Sequence, residues 1–386
     1  MATEKLFYED AYLRVFTAKV LACSERRDGY EIVLDRSAFY PEGGGQGGDT
    51  GCLGGVNVTD THERDGEIVH YCDAPLPVGE TVTGEIDWRR RFDLMQQHSG
   101  EHIVSGIICA RFGCDNVGFH LGSEQVVIDF NAAISAEDLA EIEREANAVI
   151  WENRPFLVTY PTPEELETLP YRSKKELSGQ VRIVECPGAD RCACCGTHVA
   201  AAGELGMIKL LSVKPFREGV RIEMVAGMRA YEHLCRVSEQ NSRISVRLSA
   251  KVGETAAAVE RVCEELADAK YRLTGLENKH FQRLAQRYAG KGDVLIFEED
   301  LKSDAVRRCC DAVAGVCGGR CAVFSGADGA GYKYAVGAQN GDVRALVKDM
   351  NAALHGRGGG KPDFAQGSVN AARAEIEEYF AFHCKS

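Results

Sequence analysis

His98-Ser99-Gly100-Glu101-His102 falls inside a stretch whose apolar spacing predicts a helix over 93–112. Two imidazoles four residues apart then share one helix face and can reach a single ion. By itself such a pair reads more simply as two surface histidines, so the functional reading needs a second contributor. Cys192-Ala193-Cys194-Cys195-Gly196-Thr197-His198 supplies one, because it separates a thiolate from an imidazole by three residues in a predicted turn. Together the two clusters offer a Cys/His₃ set suited to tetrahedral zinc. A competing pattern overlaps the first pair. His98-x-x-Glu101-His102 also matches the inverted zinc-peptidase arrangement, with Glu101 as general base. That reading requires a carboxylate as third ligand and leaves the Cys cluster unused.

Two further segments stand out. Residues 38–51, Ala-Phe-Tyr-Pro-Glu-Gly-Gly-Gly-Gln-Gly-Gly-Asp-Thr-Gly, concentrate glycine where backbone must approach something closely or take positive φ, or where two turns adjoin. Gly118-Phe119-His120-Leu121-Gly122 carries an isolated imidazole ahead of a predicted strand. Basic residues cluster at Arg89-Arg90-Arg91, at Lys174-Lys175 and along Lys209, Lys214, Arg217 and Arg221. Each run reads first as solvated surface and second as a local field for a phosphate backbone.

These residues need elements to position them. Residues 1–90 alternate short β-branched and aromatic runs with turn residues, at 13–16, 31–34, 66–71 and 81–86, which predicts a small β-barrel carrying the Gly-rich motif. Residues 91–235 mix both periods. They contain strand-like 126–130, 181–184 and 207–211, a helix opened by Ser135 and Asp138, and another opened by Thr162-Pro163-Glu164-Glu165. An α+β domain follows. Residues 236–290 are helix-forming, with Val252, Val259, Leu266 and Leu273 seven apart and Val262, Ala269 and Leu276 completing an a/d seam. This predicts a helical coiled-coil linker whose partner is a second copy or a neighbouring helix. From 291 to 386 the pattern is α/β again, ending in the Gly-rich loop 356–367 and a final helix.

The chain has 386 residues, of which 45% are hydrophobic and 27% charged, and its net charge is 45 − 58 = −13. This is globular composition, and the acidic balance argues against holding nucleic acid by bulk charge. The sixteen Cys are too sparse for a disulfide scaffold and read as reduced thiols. With no basic-then-apolar leader and no apolar run of membrane-spanning length, the expectation is a soluble, cytoplasmic protein with no membrane partner.

In combination and order, three motifs resemble the alanyl-tRNA editing proteins (AlaX), free-standing relatives of the alanyl-tRNA synthetase editing domain. They are Phe39-Tyr40-Pro41-Glu42-Gly43-Gly44-Gly45-Gln46 with Asp49 and Gly51, Gln97-His98-Ser99-Gly100-Glu101-His102, and Cys194-Cys195-Gly196-Thr197-His198-Val199. The tail, Gly358-Gly359-Gly360-Lys361-Pro362 and Ala365-Gln366-Gly367, resembles the DHHA1 domain of the long forms. No DHH sequence accompanies it. A phosphate-cradling Walker loop does not fit, because Pro362 follows Lys361.

The resemblance implies one zinc ion per chain at His98, His102, Cys194 and His198. The family usually has Gly after the ligand Cys, where this chain has Cys195. Cys194 is therefore chosen by its spacing to His198, with Cys195 as a substitute and Cys186 and Cys192 nearby. The synthetase often has Thr at the position of Glu101 and Gln at that of His120, the two groups considered as catalytic. The resemblance further implies substrate contacts from Gly43, Gly44, Gly45, Gln46, Asp49, Thr197 and Lys361, while pairing through the seam of the helical linker suggests a homodimer. The implied reaction is hydrolysis of the ester on mischarged tRNA(Ala), chiefly the seryl form, with glycine as the second candidate. A pocket sized for alanine rejects serine poorly, whereas a second site that hydrogen-bonds the hydroxyl rejects alanine strongly. The alternatives are a non-catalytic tRNA-binding protein with structural zinc and the inverted-motif peptidase.

Overall fold

The computed structural model describes residues 2–173 and 180–383; the Lys174-Lys175 run lies outside them. The chain forms two compact units, 1–242 and 243–386.

In the first unit six strands pair in the order Val15–Arg26, Gly29–Leu34, Glu67–Cys72, Val56–Arg64, Gly51–Leu53, Thr81–Ile86. The last pairs back onto the first and closes a barrel. Strict alternation produces this. The first strand buries Phe16, Ala18 and Val20 and turns Val15, Thr17 and Lys19 outward, so one face of each strand fills the interior with Ile32, Leu34, Leu53 and Ile86. The Gly-rich segment leaves the barrel as a loop between Arg36–Ser37 and Gly51–Leu53.

The His-bearing helix runs Trp88–Phe112, five residues longer at its start than the spacing predicts. Asp87 is the reason, since its side chain accepts from the Arg90 N–H and caps the first turn. Every residue from Leu94 to Ile108 is buried. The helix is enclosed on all sides rather than amphipathic. It packs on a four-stranded sheet ordered Ile208–Phe216, Gly219–Ala226, Val126–Phe130, Asn116–Leu121 and against the helix Ala136–Trp151. The capping boxes at Ser135/Asp138 and Thr162/Glu165 form as the sequence predicts, with Pro163 in the first helical turn. A separate ribbon of Leu157–Thr159, Ile183–Cys186 and Asp190–Ala193 delivers the chain to the Cys194 turn.

The segment expected as a helical linker, 236–290, is helical in two pieces. Helix begins earlier, at Gly227, and stops at Leu248; Ser249 takes φ 50°, and a second helix runs Thr255–Tyr288. Val252 therefore sits in a short 3₁₀ turn and drops out of the seam, while Val259, Val262, Leu266, Leu273 and Leu276 form an exposed stripe.

The second unit carries a five-stranded sheet ordered Gly292–Phe297, Gly318–Ala327, Gly331–Ala338, Phe364–Val369, Arg357–Gly360. Its first pair is parallel and the rest antiparallel. The expected Gly-rich loop is instead a hairpin, with Gly358 opposite Gly367. A Cβ at either position would lie 2.5 or 2.6 Å from the Tyr334 hydroxyl, so these bare strands exist where that side chain lies across them. Lys361 stands exposed in the hairpin turn. Among the described residues no helix is long and apolar enough to cross a membrane.

Candidate metal centre

His98, His102, Cys194 and His198 converge, with one donor atom of each within 4.8 Å of the others. The Cys194 sulfur lies 3.4 Å from Nε2 of both His98 and His198. Metal–ligand bonds of about 2.0–2.3 Å in a tetrahedron leave edges of roughly 3.5 Å between donors, so this spacing accommodates one ion. His98 and His102 share a helix face, their ring centroids 5.3 Å apart, and His198 closes on both at 4.6 and 4.5 Å.

Each imidazole is oriented from behind through Nδ1. Gln46 Oε1 lies 2.9 Å from His98 Nδ1, Asp190 Oδ2 lies 2.9 Å from His102 Nδ1, and Ser99 Oγ lies 3.1 Å from His198 Nδ1. A partner beside Nδ1 favours the tautomer whose opposite nitrogen carries the lone pair a metal requires, with the Gln46 oxygen placed to accept from His98 and the Asp190 carboxylate beside His102. Gln46 arrives from the barrel loop and also donates to Thr197 Oγ1 at 2.8 Å. Asp190 is braced by Arg172, with two contacts of 2.7 and 2.9 Å.

Two glycines admit this arrangement. A Cβ at Gly196 would stand 2.1 Å from His98 Cε1, and one at Gly106 would stand 2.2 Å from Ala189 O. Gly106 thereby lets the hairpin bring Asp190 up against the helix one turn beyond His102. Spacing alone reveals neither Asp190 nor Ser99 as an orienting group, yet a glycine inside a buried helix signals close backbone approach.

The electrostatics single out Cys194 among the thiols. Burial alone would raise its pKa, but the imidazoles of His98, His102 and His198 override this and hold it well below the ordinary thiol range. Burial pushes Cys192 up to about 12 and Cys186 to about 11, so both stay protonated and poor as ligands. His102 is raised to about 9, because the charges of Cys194 and Asp190 outweigh its desolvation. His198 is lowered to about 3 by burial and by His102. Cys195 is exposed beside the cluster and is not in the donor group.

The remaining candidates are placed as follows. Glu101 is buried and accepts from Ser105 Oγ at 2.6 Å and Asn116 Nδ2 at 2.7 Å, outside the donor group. His120 is exposed; its neighbour Phe119 turns inward and packs 5.3 Å from the His98 ring, so strand alternation directs His120 away. Asp49 is buried against Arg91 and accepts from Tyr40 N. Gly44 and Gly45 are exposed, and Thr197 is buried. Several of the described basic residues are already engaged within the chain. Arg91 is enclosed, Arg90 donates to Gly48 O, and Lys209, Lys214 and Arg221 pair with Glu143, Glu223 and Asp129.

Replacing Asp190 by Asn keeps the shape and removes the charge that holds His102. Metal affinity, read by chelator competition, is expected to fall about 10- to 100-fold. Arg172→Met should act in the same direction by releasing Asp190. Wild-type affinity in both variants would remove the pair from the site.

Family models match three stretches of the chain. The model for tRNA synthetases class II (A) matches residues 2–90, the threonyl and alanyl tRNA synthetase second additional domain matches 181–223, and the DHHA1 domain matches 284–381. The alanyl-tRNA editing protein AlaX-L of Pyrococcus horikoshii is 30% identical, covering 97% of this chain and 96% of its own. An alanine–tRNA ligase of Halorubrum lacusprofundi is 34% identical over 95% of this chain, which spans only 42% of that relative's length. The alanyl-tRNA editing protein Aarsd1 of Mus musculus is 30% identical over 67% of each chain.

Proposed function

The chain belongs to the alanyl-tRNA editing protein family, and from that premise we propose that it deacylates mischarged tRNA(Ala), chiefly the seryl form, in the cytoplasm. The convergence of His98, His102, Cys194 and His198, each imidazole held through Nδ1, carries this reading. Zinc is the ion this donor set favours, and when bound it supplies a Lewis acid for an ester carbonyl or a water of lowered pKa. The protein's own part is to orient the imidazoles and keep the Cys194 sulfur ionised. Cys194 alone among the four donors is partly exposed, which gives the substrate a side of approach.

Substrate contacts are assigned to the turn Gly43-Gly44-Gly45, whose last two residues are exposed, for the aminoacyl group and to Lys361 for a tRNA phosphate. Glu101, held by Ser105 and Asn116, acts as a positioning residue for the helix segment between the two histidines. His120 faces outward and is assigned to the tRNA side rather than to the reacting bond. Four protein donors also match a closed, structural coordination, which is the observation favouring a non-catalytic tRNA-binding reading.

Incubation with serine-, glycine- and alanine-charged tRNA(Ala), with and without a chelator, separates the two. Loss of the seryl ester alone, abolished by the chelator, is the expected outcome. Retention of every ester by the metal-loaded protein would overturn the deacylase reading.

The exposed stripe Val259, Val262, Leu266, Leu273 and Leu276 is assigned to a homodimer contact. Light scattering should give twice the monomer mass, and Leu266→Lys with Leu273→Lys should halve it. A monomeric wild type would dispose of the contact.

A further inference from the structure

Beside the Cys194 turn lies a cavity of about 390 Å³ lined by Lys5, Tyr8, Tyr160, Gln180, Arg182 and Cys195. Arg182 is its unusual member. The residue is only 9% exposed, and its Nη1 donates to Cys194 O at 2.8 Å and Gly196 O at 2.9 Å. Its Nε is buried with no hydrogen-bond partner, and no carboxylate of the described residues lies within ion-pairing distance. A guanidinium does not shed its proton, so enclosing one without a counter-charge is unfavourable unless an anion arrives. Lys5, by contrast, is already satisfied by Glu63 at 2.7 and 2.8 Å. Among the described lining residues, Arg182 is thus the cation without a carboxylate partner.

Its walls fit a nucleotide. Tyr8 lies with its ring centroid 5.3 Å from the Arg182 guanidinium, and Tyr160, 45% exposed, lines the same cavity. A cation that tracks a phosphate, together with a ring that takes a base, is how proteins hold single-stranded nucleic acid. The exposed Gln180 amide adds a donor and an acceptor at the rim. The cavity also adjoins the one donor residue that is partly exposed, and Arg182 grips the backbone of that residue directly.

We propose that this cavity is the subsite for the nucleotide next to the terminal one in the single-stranded end of the substrate RNA. Arg182 neutralises its phosphodiester, and Tyr160, backed by Tyr8, stacks on its base. The assignment rests on the deacylase reading for its orientation, since the terminal ester is then delivered past Cys195 to the ion.

The test uses the full metal-loaded chain and two uncharged RNA minihelices with the same stem, one ending in a single-stranded CCA and one blunt, titrated by fluorescence anisotropy at several salt concentrations. Arg182→Gln should weaken binding of the CCA minihelix about tenfold and reduce the salt slope by about one. Tyr160→Ala should weaken it about fivefold or more with the slope unchanged. Because Arg182 also braces the Cys194 turn, Arg182→Lys is included, and it should retain the slope. Metal content of Tyr160→Ala is expected to equal that of the wild type, and metal content of the Arg182 variants is measured alongside, so that a loosened Cys194 turn is told apart from a lost phosphate contact. The blunt minihelix should not distinguish any variant from the wild type. Wild-type affinity of Arg182→Gln and Tyr160→Ala for the CCA minihelix, or an equal loss on the blunt one, overturns the subsite. Failure of the deacylase reading looks different: the wild type leaves every charged tRNA intact while the variants still lose CCA binding.

Discussion

On the proposed zinc-dependent reading, replacing Cys194 by Ser should cost the site its metal and its deacylation, whereas Cys195→Ser should leave both intact. The contrast follows from the surroundings of the two sulfurs. Cys194 stands 3.4 Å from two imidazole nitrogens, accepts from Gly196 N at 3.3 Å, and is held ionised by three histidines. Serine in its place offers a neutral hydroxyl at neutral pH, so the ion loses its one anionic donor. The loss of affinity should exceed the roughly 100-fold upper range for losing an outer partner. Chelator competition and metal content after dialysis measure it independently of any tRNA. Gly196→Ala should fail in a related way, because the new methyl would occupy the space of the His98 ring. If Cys194→Ser retained its metal while Cys195→Ser lost it, the donor assignment would have to move by one residue.

The two candidate donor pairs are legible in the sequence because local geometry fixes each: four residues of helix bring His98 over His102, and a short turn brings Cys194 to His198. Joining the two pairs into one set rests on the family resemblance and, in space, on the fold. The residues that orient them are not legible in that way. Asp190 reaches His102 from a hairpin 88 positions away, and Gln46 reaches His98 from the barrel loop 52 positions away (190 − 102 and 98 − 46). Such contacts exist only once sheet and helix have packed. The helix boundary was partly hidden for a simpler reason: Asp87 is a cap, and a cap lies outside the apolar period. Arg89-Arg90-Arg91 misleads more deeply. As a string it is a basic run, but a buried helix directs its third member inward, to a charge on another segment. Likewise, the Gly-rich tail reads as a loop until Tyr334 is seen to require bare strands at that edge.

Arg91→Met should destabilise the first unit by about 3–5 kcal/mol, the range for removing one partner of a buried ion pair. Arg91 and Asp49 are both essentially inaccessible. The guanidinium Nε lies 3.1 and 2.9 Å from the two Asp49 oxygens, Nη1 donates to Ala11 O at 2.8 Å, and Nη2 donates to Ala38 O at 2.6 Å and to Asp49. Methionine would leave a carboxylate with no counter-charge and two carbonyls without donors, which is worse than having no pair at all. Adding Asp49→Asn removes the stranded charge, so the double variant should recover part of the loss, and a denaturant-based double-mutant cycle measures the coupling. The consequence for chemistry follows from where Asp49 sits. It anchors the same loop that carries Gln46, three residues earlier, to His98 and Thr197. A loop freed at Asp49 no longer fixes the His98 ring, so Arg91→Met should also weaken metal binding although it touches no donor. Unfolding midpoints and chelator competition should therefore fall together in Arg91→Met and recover together in the double variant. A variant that lost stability but kept full metal affinity would uncouple the loop anchor from the site.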